Sequence, residues 1–105
     1  MERTIHPEVL KNKLDNSFLL DVRRTNDLAE SNEQLPGAQW LDPEQIDDWA
    51  DTLPRDQEIV LYCVRGGSVS NSVVDKLQAR GLSARFIEGG IEGWKTAGGA
   101  TESKP

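Results

Sequence analysis

The chain has 105 residues, 12 of them Lys or Arg and 18 Asp or Glu, for a net charge of −6. That length holds one domain with a core of its own, and the acidic balance argues against a grip on nucleic acid or docking on anionic lipid, both of which need basic surface. A single cysteine, Cys63, and a single histidine, His6, exclude an internal disulfide and a multi-Cys zinc site and argue against a Ser-His-Asp triad within the chain.

The longest apolar run, Ile59 to Val64, is far too short to cross a bilayer, and Met1-Glu2-Arg3-Thr4 carries no apolar leader. These features predict a soluble cytoplasmic domain over residues 1–98 with a flexible tail over 99–105.

In chain order, His6 to Leu14 reads as a helix, with Pro7 in its first turn and Val9, Leu10 and Leu14 on one apolar face. Ser17 to Val22 reads as a buried strand and Thr25 to Glu30 as a helical turn. Leu35-Pro36-Gly37-Ala38 is a turn, followed by a brief strand, Gln39-Trp40-Leu41. Asp42 caps a helix with Pro43 behind it and Gln45 in capping-box position; Ile46, Trp49, Ala50 and Leu53 repeat at helical spacing until Pro54.

Glu58 to Cys63 is the strongest strand, apolar on both faces as in the middle of a parallel sheet. Gly66-Gly67 breaks it. Ser68 to Arg80 is a helix with Val69, Val73, Val74 and Leu77 inward, ended by Gly81. Ala84 to Ile87 is a strand, Gly89-Gly90 a turn, and Ile91 to Ala97 the last helix. Alternating strands and helices with short loops predict an α/β fold with a mostly parallel sheet.

Chemistry points to Cys63. It ends a strand, and ligands in open α/β sheets bind beyond strand carboxyl ends. Val64-Arg65-Gly66-Gly67-Ser68 then leads into a helix. Glycines let successive N–H groups curl into a cup, and the helix start adds its own unpaired donors. Such a cup holds an anion: a thiolate, a persulfide or an oxyanion substrate. The plainer reading is a small buried cysteine closing a strand. The loop lacks G-x-G-x-x-G and the closing Lys-Ser or Lys-Thr of a P-loop, so a nucleotide cradle is set aside.

Four stretches share one order and spacing with a known family. Phe18-Leu19-Leu20-Asp21-Val22-Arg23 resembles its L-(I/L)-D-V-R strand, and Leu35-Pro36-Gly37-Ala38 its H-I-P-G-A turn. Ile59 to Cys63 with Gly66 resembles its active strand and loop, and Phe86-Ile87-Glu88-Gly89-Gly90-Ile91-Glu92-Gly93-Trp94 its G-G-x-x-x-W motif. From His6 to about Gly98 the chain thus resembles a single-domain rhodanese-like sulfurtransferase.

The resemblance implies a rhodanese-like fold: five mostly parallel strands with helices on both faces. It implies that Cys63 accepts sulfane sulfur as a persulfide, held by a substrate-binding loop of Val64, Arg65, Gly66, Gly67, Ser68 and Val69. A donor such as thiosulfate loads Cys63 and an acceptor, cyanide or a small or protein thiol, unloads it. No metal and no cofactor is implied, no nucleic-acid or membrane partner is expected, and a monomer is expected. The alternatives are a non-catalytic binding or regulatory module and a phosphatase or arsenate reductase of the related C-x-x-x-x-x-R type, in which Val69 would replace the arginine.

The chain departs from the family pattern in places. Ser68 stands where the family often has Arg, Gln34 where it has His, and Asp27 where a Glu follows the arginine, so that an Arg23–Asp27 pair would need a shorter reach. Leu77 lies one residue further from Cys63 than the pattern has it, leaving the loop count open between six and seven. Arg65 is the nearest cation for steering an anion. Ser68 is expected to donate to the bound sulfur or to cap the helix. Asp21 and Arg23 read as part of a buried or semi-buried polar network under the loop, Trp40, Trp49 and Trp94 as packing, His6 as a surface helix start, and Asp42, Glu44, Asp47, Asp48 and Asp51 as a solvated acidic face.

Overall fold

The computed structural model describes residues 2–104. Met1, the first residue of the stretch read for a leader, and Pro105, where the expected tail ends, lie outside the described residues.

The elements in chain order are β1 (Thr4–Ile5), α1 (Pro7–Lys11), β2 (Ser17–Asp21), α2 (Thr25–Ala29), β3 (Glu33–Gln34), β4 (Gln39–Trp40), α3 (Ile46–Trp49), β5 (Glu58–Tyr62), α4 (Ser68–Ala79), β6 (Ala84–Ile87), α5 (Gly90–Thr96) and β7 (Glu102–Ser103). A five-stranded parallel sheet runs in the order β1-β6-β5-β2-β4. This is the α/β architecture that the resemblance implies.

Strand β5 is central because its side chains are apolar on both faces. Ile59 and Leu61 enter one core with Leu20, Ala84 and Phe86 of the sheet and Trp49, Val73, Val74 and Leu77 of the covering helices. Val60 and Tyr62 point the other way, into a second core with Leu10, Leu19, Ile87, Ile91 and Trp94. The pleat separates the two sets residue by residue. Register then lines up strand ends: Asp21 stands opposite Tyr62, one residue before Cys63.

Four expectations are corrected. The first helix is shorter than His6 to Leu14: it closes at Lys11, and a 3-10 turn, Leu14–Asn16, follows. Leu10 is buried, but Val9 is 50% exposed, so the expected three-residue apolar face is not formed. The helix read from Asp42 to Leu53 is a chain of short turns, 3-10 at Pro43–Gln45, one α turn at α3 and 3-10 at Ala50–Thr52. Asp42 still caps its start by accepting from Glu44 N–H, while Trp49 Nε1–H donates back to the Asp42 carbonyl and curls the segment.

The fifth strand of the sheet is β1. Its two residues are too few to show a pattern, and they pair at the edge with Phe86 and Ile87.

The tail expected to be loose over 99–105 is docked as far as it is described. Strand β7 pairs antiparallel with β3, and Lys104 N–H donates to the Asn32 carbonyl. Gln34, buried at the family's histidine position, donates to Glu102. Trp94 supplies the hold: its indole N–H donates to the Ala100 carbonyl at 2.8 Å, and its ring lies so close to Gly99 that a Cβ there would sit 2.2 Å from it.

Candidate active site

Cys63 leaves the carboxyl end of β5 and is only 8% exposed. Two donors reach its sulfur. Gly66 N–H lies 3.2 Å from Sγ and Ser70 Oγ 3.0 Å. The N–H groups of Val64, Arg65, Gly67, Ser68, Val69 and Ser70 have no hydrogen-bond partner among the described residues. The cup expected from the sequence is thus present: a turn of unpaired amides running into the first turn of α4, where the helix dipole is positive.

Close packing of backbone on backbone shapes this turn. Gly66 takes φ +71°, and a Cβ on it would lie 3.1 Å from Gly89 N. Gly90, at φ +62°, presses so closely that a Cβ would lie 2.5 Å from the carbonyl oxygens of Cys63 and Val64. Those two carbonyls accept from Ile91 N–H at 3.0 Å and Glu92 N–H at 3.1 Å. With its carbonyls engaged behind, the turn keeps its amides on the other side. The Gly89-Gly90 turn is therefore a backing plate for the cysteine loop. Of the two loop glycines only Gly66 has positive φ; Gly67 precedes α4 as its cap residue.

A cavity of about 400 Å³ opens over Cys63 and takes in Val64, Arg65, Gly67, Ser68 and Val69. The structure thus brings the predicted residues to one place, with Gly66 set behind them on the sulfur. Arg24, Asp27 and Glu30 from the α2 region line it as well. Arg65 and Arg24 are exposed, and neither has an ion-pair partner among the described residues.

Two side-chain expectations change, and the partner of Arg23 is fixed. Ser68 neither caps α4 nor touches sulfur: Gly67 is the cap residue, and Ser68 is the first exposed helical position. The hydroxyl on sulfur belongs to Ser70, which is fully buried. Val69 lines the cavity but is half-buried and packs on the core, so its side chain offers an anion nothing. Arg23 pairs with Asp21 rather than with Asp27, Nε and Nη2 reaching its two carboxylate oxygens at 2.7–3.1 Å.

The Asp21–Arg23 pair is buried, each side chain 1% exposed. Arg23 also donates to the Glu33 carbonyl and stands 5.6 Å from the centre of the Tyr62 ring. Burial works against its charge, but the bonds and charge of Asp21 outweigh it and hold its pKa above the ordinary value. Burial, and then the nearby Asp21 charge, push the Tyr62 hydroxyl far up. That hydroxyl accepts from Leu35 N–H, and Trp40 Nε1–H donates to the Arg23 carbonyl. These bonds fasten the Leu35-Pro36-Gly37 turn and β4 to the strand ends beside Cys63.

A family model of the rhodanese-like domain matches residues 6–97. The chain belongs to the rhodanese-like domain family. A rhodanese-like domain protein from Staphylococcus aureus superposes with a TM-score of 0.80 at 28% identity, over 99% of this chain and 100% of that one. A rhodanese-related protein from Thermoplasma volcanium superposes at 0.85 with 24% identity, over 96% and 98%. In sequence, a tRNA 2-selenouridine synthase from Shewanella sp. (strain ANA-3) is 36% identical over 52 residues, 50% of this chain. This rhodanese-like chain spans 14% of that relative's length. No helix among the described residues is long and apolar enough to cross a membrane.

Proposed function

We propose that the protein is a cytoplasmic sulfurtransferase that carries sulfane sulfur on Cys63. The observation that carries this reading is the pair of donors on one buried sulfur, Gly66 N–H and Ser70 Oγ–H, at the floor of a ring of unpaired amides. Donors aimed at sulfur favour the thiolate, which is the nucleophile. Among the described residues no histidine lines the cavity over Cys63, so the loop itself supplies the activation.

The reaction has two halves. In loading, the Cys63 thiolate attacks the outer sulfur of a donor such as thiosulfate. An Sγ–S bond forms, the donor's S–S bond breaks, and sulfite leaves with the electron pair. The persulfide charge then sits on the terminal sulfur, facing the free amides. In unloading, cyanide or a thiolate attacks that terminal sulfur, and the Sγ–S bond breaks with its pair returning to Cys63. No metal or cofactor takes part. Arg65 and Arg24, which line the cavity together with Asp27 and Glu30, supply positive charge for the anionic donor.

The partners proposed are a small-molecule donor and a thiol or protein-thiol acceptor, met by a monomer. The name of the synthase relative ties its activity to tRNA; the net charge of −6 on this chain argues against the same partner here. Phosphoryl transfer is disfavoured because Val69, at the position an arginine would need, packs apolar on the core and leaves a phosphoryl transition state without its charge stabiliser. The test is the mass of the intact protein after exposure to thiosulfate, with Cys63→Ala as control. The account expects a one-sulfur gain in the first and none in the second. An equal gain in both would place the sulfur elsewhere and refute the role of Cys63.

A further inference from the structure

We infer that Ser70 is a catalytic residue of the sulfur-transfer cycle, acting as the hydrogen-bond donor that takes up charge on Cys63 Sγ when the persulfide is unloaded. The inference rests on the proposed sulfur-transfer reading and assigns a function to a side chain outside the Cys63–Val69 loop.

Ser70 is fully buried, yet it carries a polar hydroxyl in the first turn of a helix. A buried hydroxyl without a partner is costly, and alanine is the better helix former. Helical serines commonly satisfy themselves on the carbonyl four residues back. Ser70 does not: among the described residues its hydroxyl has one partner, Cys63 Sγ, seven residues back at 3.0 Å. The side chain is held there by its place on the inner stripe of α4, where Ser70, Val73, Val74 and Leu77 are all buried. A serine kept in this position serves the sulfur rather than the packing.

The electron bookkeeping says which step it serves. During loading, Sγ gives up its negative charge as it bonds to the donor's sulfur, so a donor on Sγ stabilises the starting thiolate more than the product. During unloading the electron pair returns to Sγ, and the same hydroxyl stabilises the charge that develops there. Ser70 and Gly66 N–H therefore make Cys63 a better leaving group. Once the thiolate is fully formed, as at alkaline pH, the terminal sulfur is released faster with no gain to its capture.

The two half-reactions can be timed separately in single turnover at alkaline pH, loading with thiosulfate and unloading of the preformed persulfide with cyanide, each followed by intact mass. Ser70→Ala is expected to slow unloading by about tenfold, the effect of one hydrogen bond to a charged atom, with loading unchanged or faster. Persulfide then accumulates during steady turnover. Ser70→Thr keeps the hydroxyl and is expected to keep the wild-type ratio of the two rates. If the added methyl unfolds that variant, the Ala ratio alone decides. Equal slowing of both halves in Ser70→Ala, or no change in either, overturns the role of Ser70, because a merely structural serine would not split the two steps. A wild-type protein that never gains sulfur would instead overturn the sulfur-transfer reading itself.

Discussion

Gly90 shows how much of the site depends on atoms that are absent. Its backbone lies against the carbonyls of Cys63 and Val64, and a Cβ there would stand 2.5 Å from both, at a φ of +62° that side chains rarely adopt. Gly90→Ala must push the cysteine loop outward and break the bonds from Ile91 and Glu92 that hold it. The expected loss is about 1–3 kcal/mol of stability together with most of the sulfur-transfer rate, read by denaturant unfolding and by turnover. An alanine variant with wild-type stability and rate would show that the glycine turn does not back the loop. At this scale the sequence made much of the site legible. Cys63 at a strand end before Gly66-Gly67 was readable, and so was a polar network holding Asp21 and Arg23 under the loop. Ser70 was not, because it lies beyond the loop inside α4 and meets the sulfur seven residues away only once the helix is folded. The clue was present in the helical spacing: positions 70, 73, 74 and 77 form one buried stripe, and a serine at its head faces the end of β5.

Among the elements, those with a long apolar pattern were legible, and those held by tertiary bonds were not. Strands β2 and β5 and helix α4 announce themselves by burial on two faces or one stripe. Strands β1, β3 and β7 are two residues each, and β3 and β7 are made of charged and polar side chains, so only their pairing defines them. The docked tail follows from Trp94 and Gly99, contacts that composition cannot show. One junction of elements carries a pH dependence. Glu58 begins β5 and pairs with Arg85 of β6 and with Lys13 ahead of β2. Burial works to raise its pKa, but the bonds from Lys13 and Arg85 outweigh it and hold the carboxyl below its ordinary 4.5. A depressed carboxylate contributes stability that is fully present above 4.5 and is lost as pH falls through the folded value. Glu58→Gln is therefore expected to be less stable at neutral pH, by up to about 1 kcal/mol, with the gap closing on acidification below 4.5. A gap that stayed constant through that acid range in denaturant titrations would contradict the pairing.

At the scale of the whole molecule, the proposed function has an acidic protein handle an anion. The net charge of −6 repels thiosulfate at long range, while the unpaired amides, Arg24 and Arg65 attract it only at close quarters. Salt screens the first over about 10 Å at 0.1 M and touches the second less. The kcat/KM for thiosulfate is expected to rise as potassium chloride is raised from low to moderate concentration; a steep fall would mean that long-range attraction governs capture. The fold itself was the most legible feature, since alternating strands and helices leave few arrangements for a chain of 105 residues. All of the chemistry converges on a single thiol, so one measurement bears on it most directly. Intact mass after incubation with thiosulfate should show the gain of one sulfur atom, reversed by cyanide and absent from Cys63→Ala. A folded wild-type protein that shows no such gain would contradict the account.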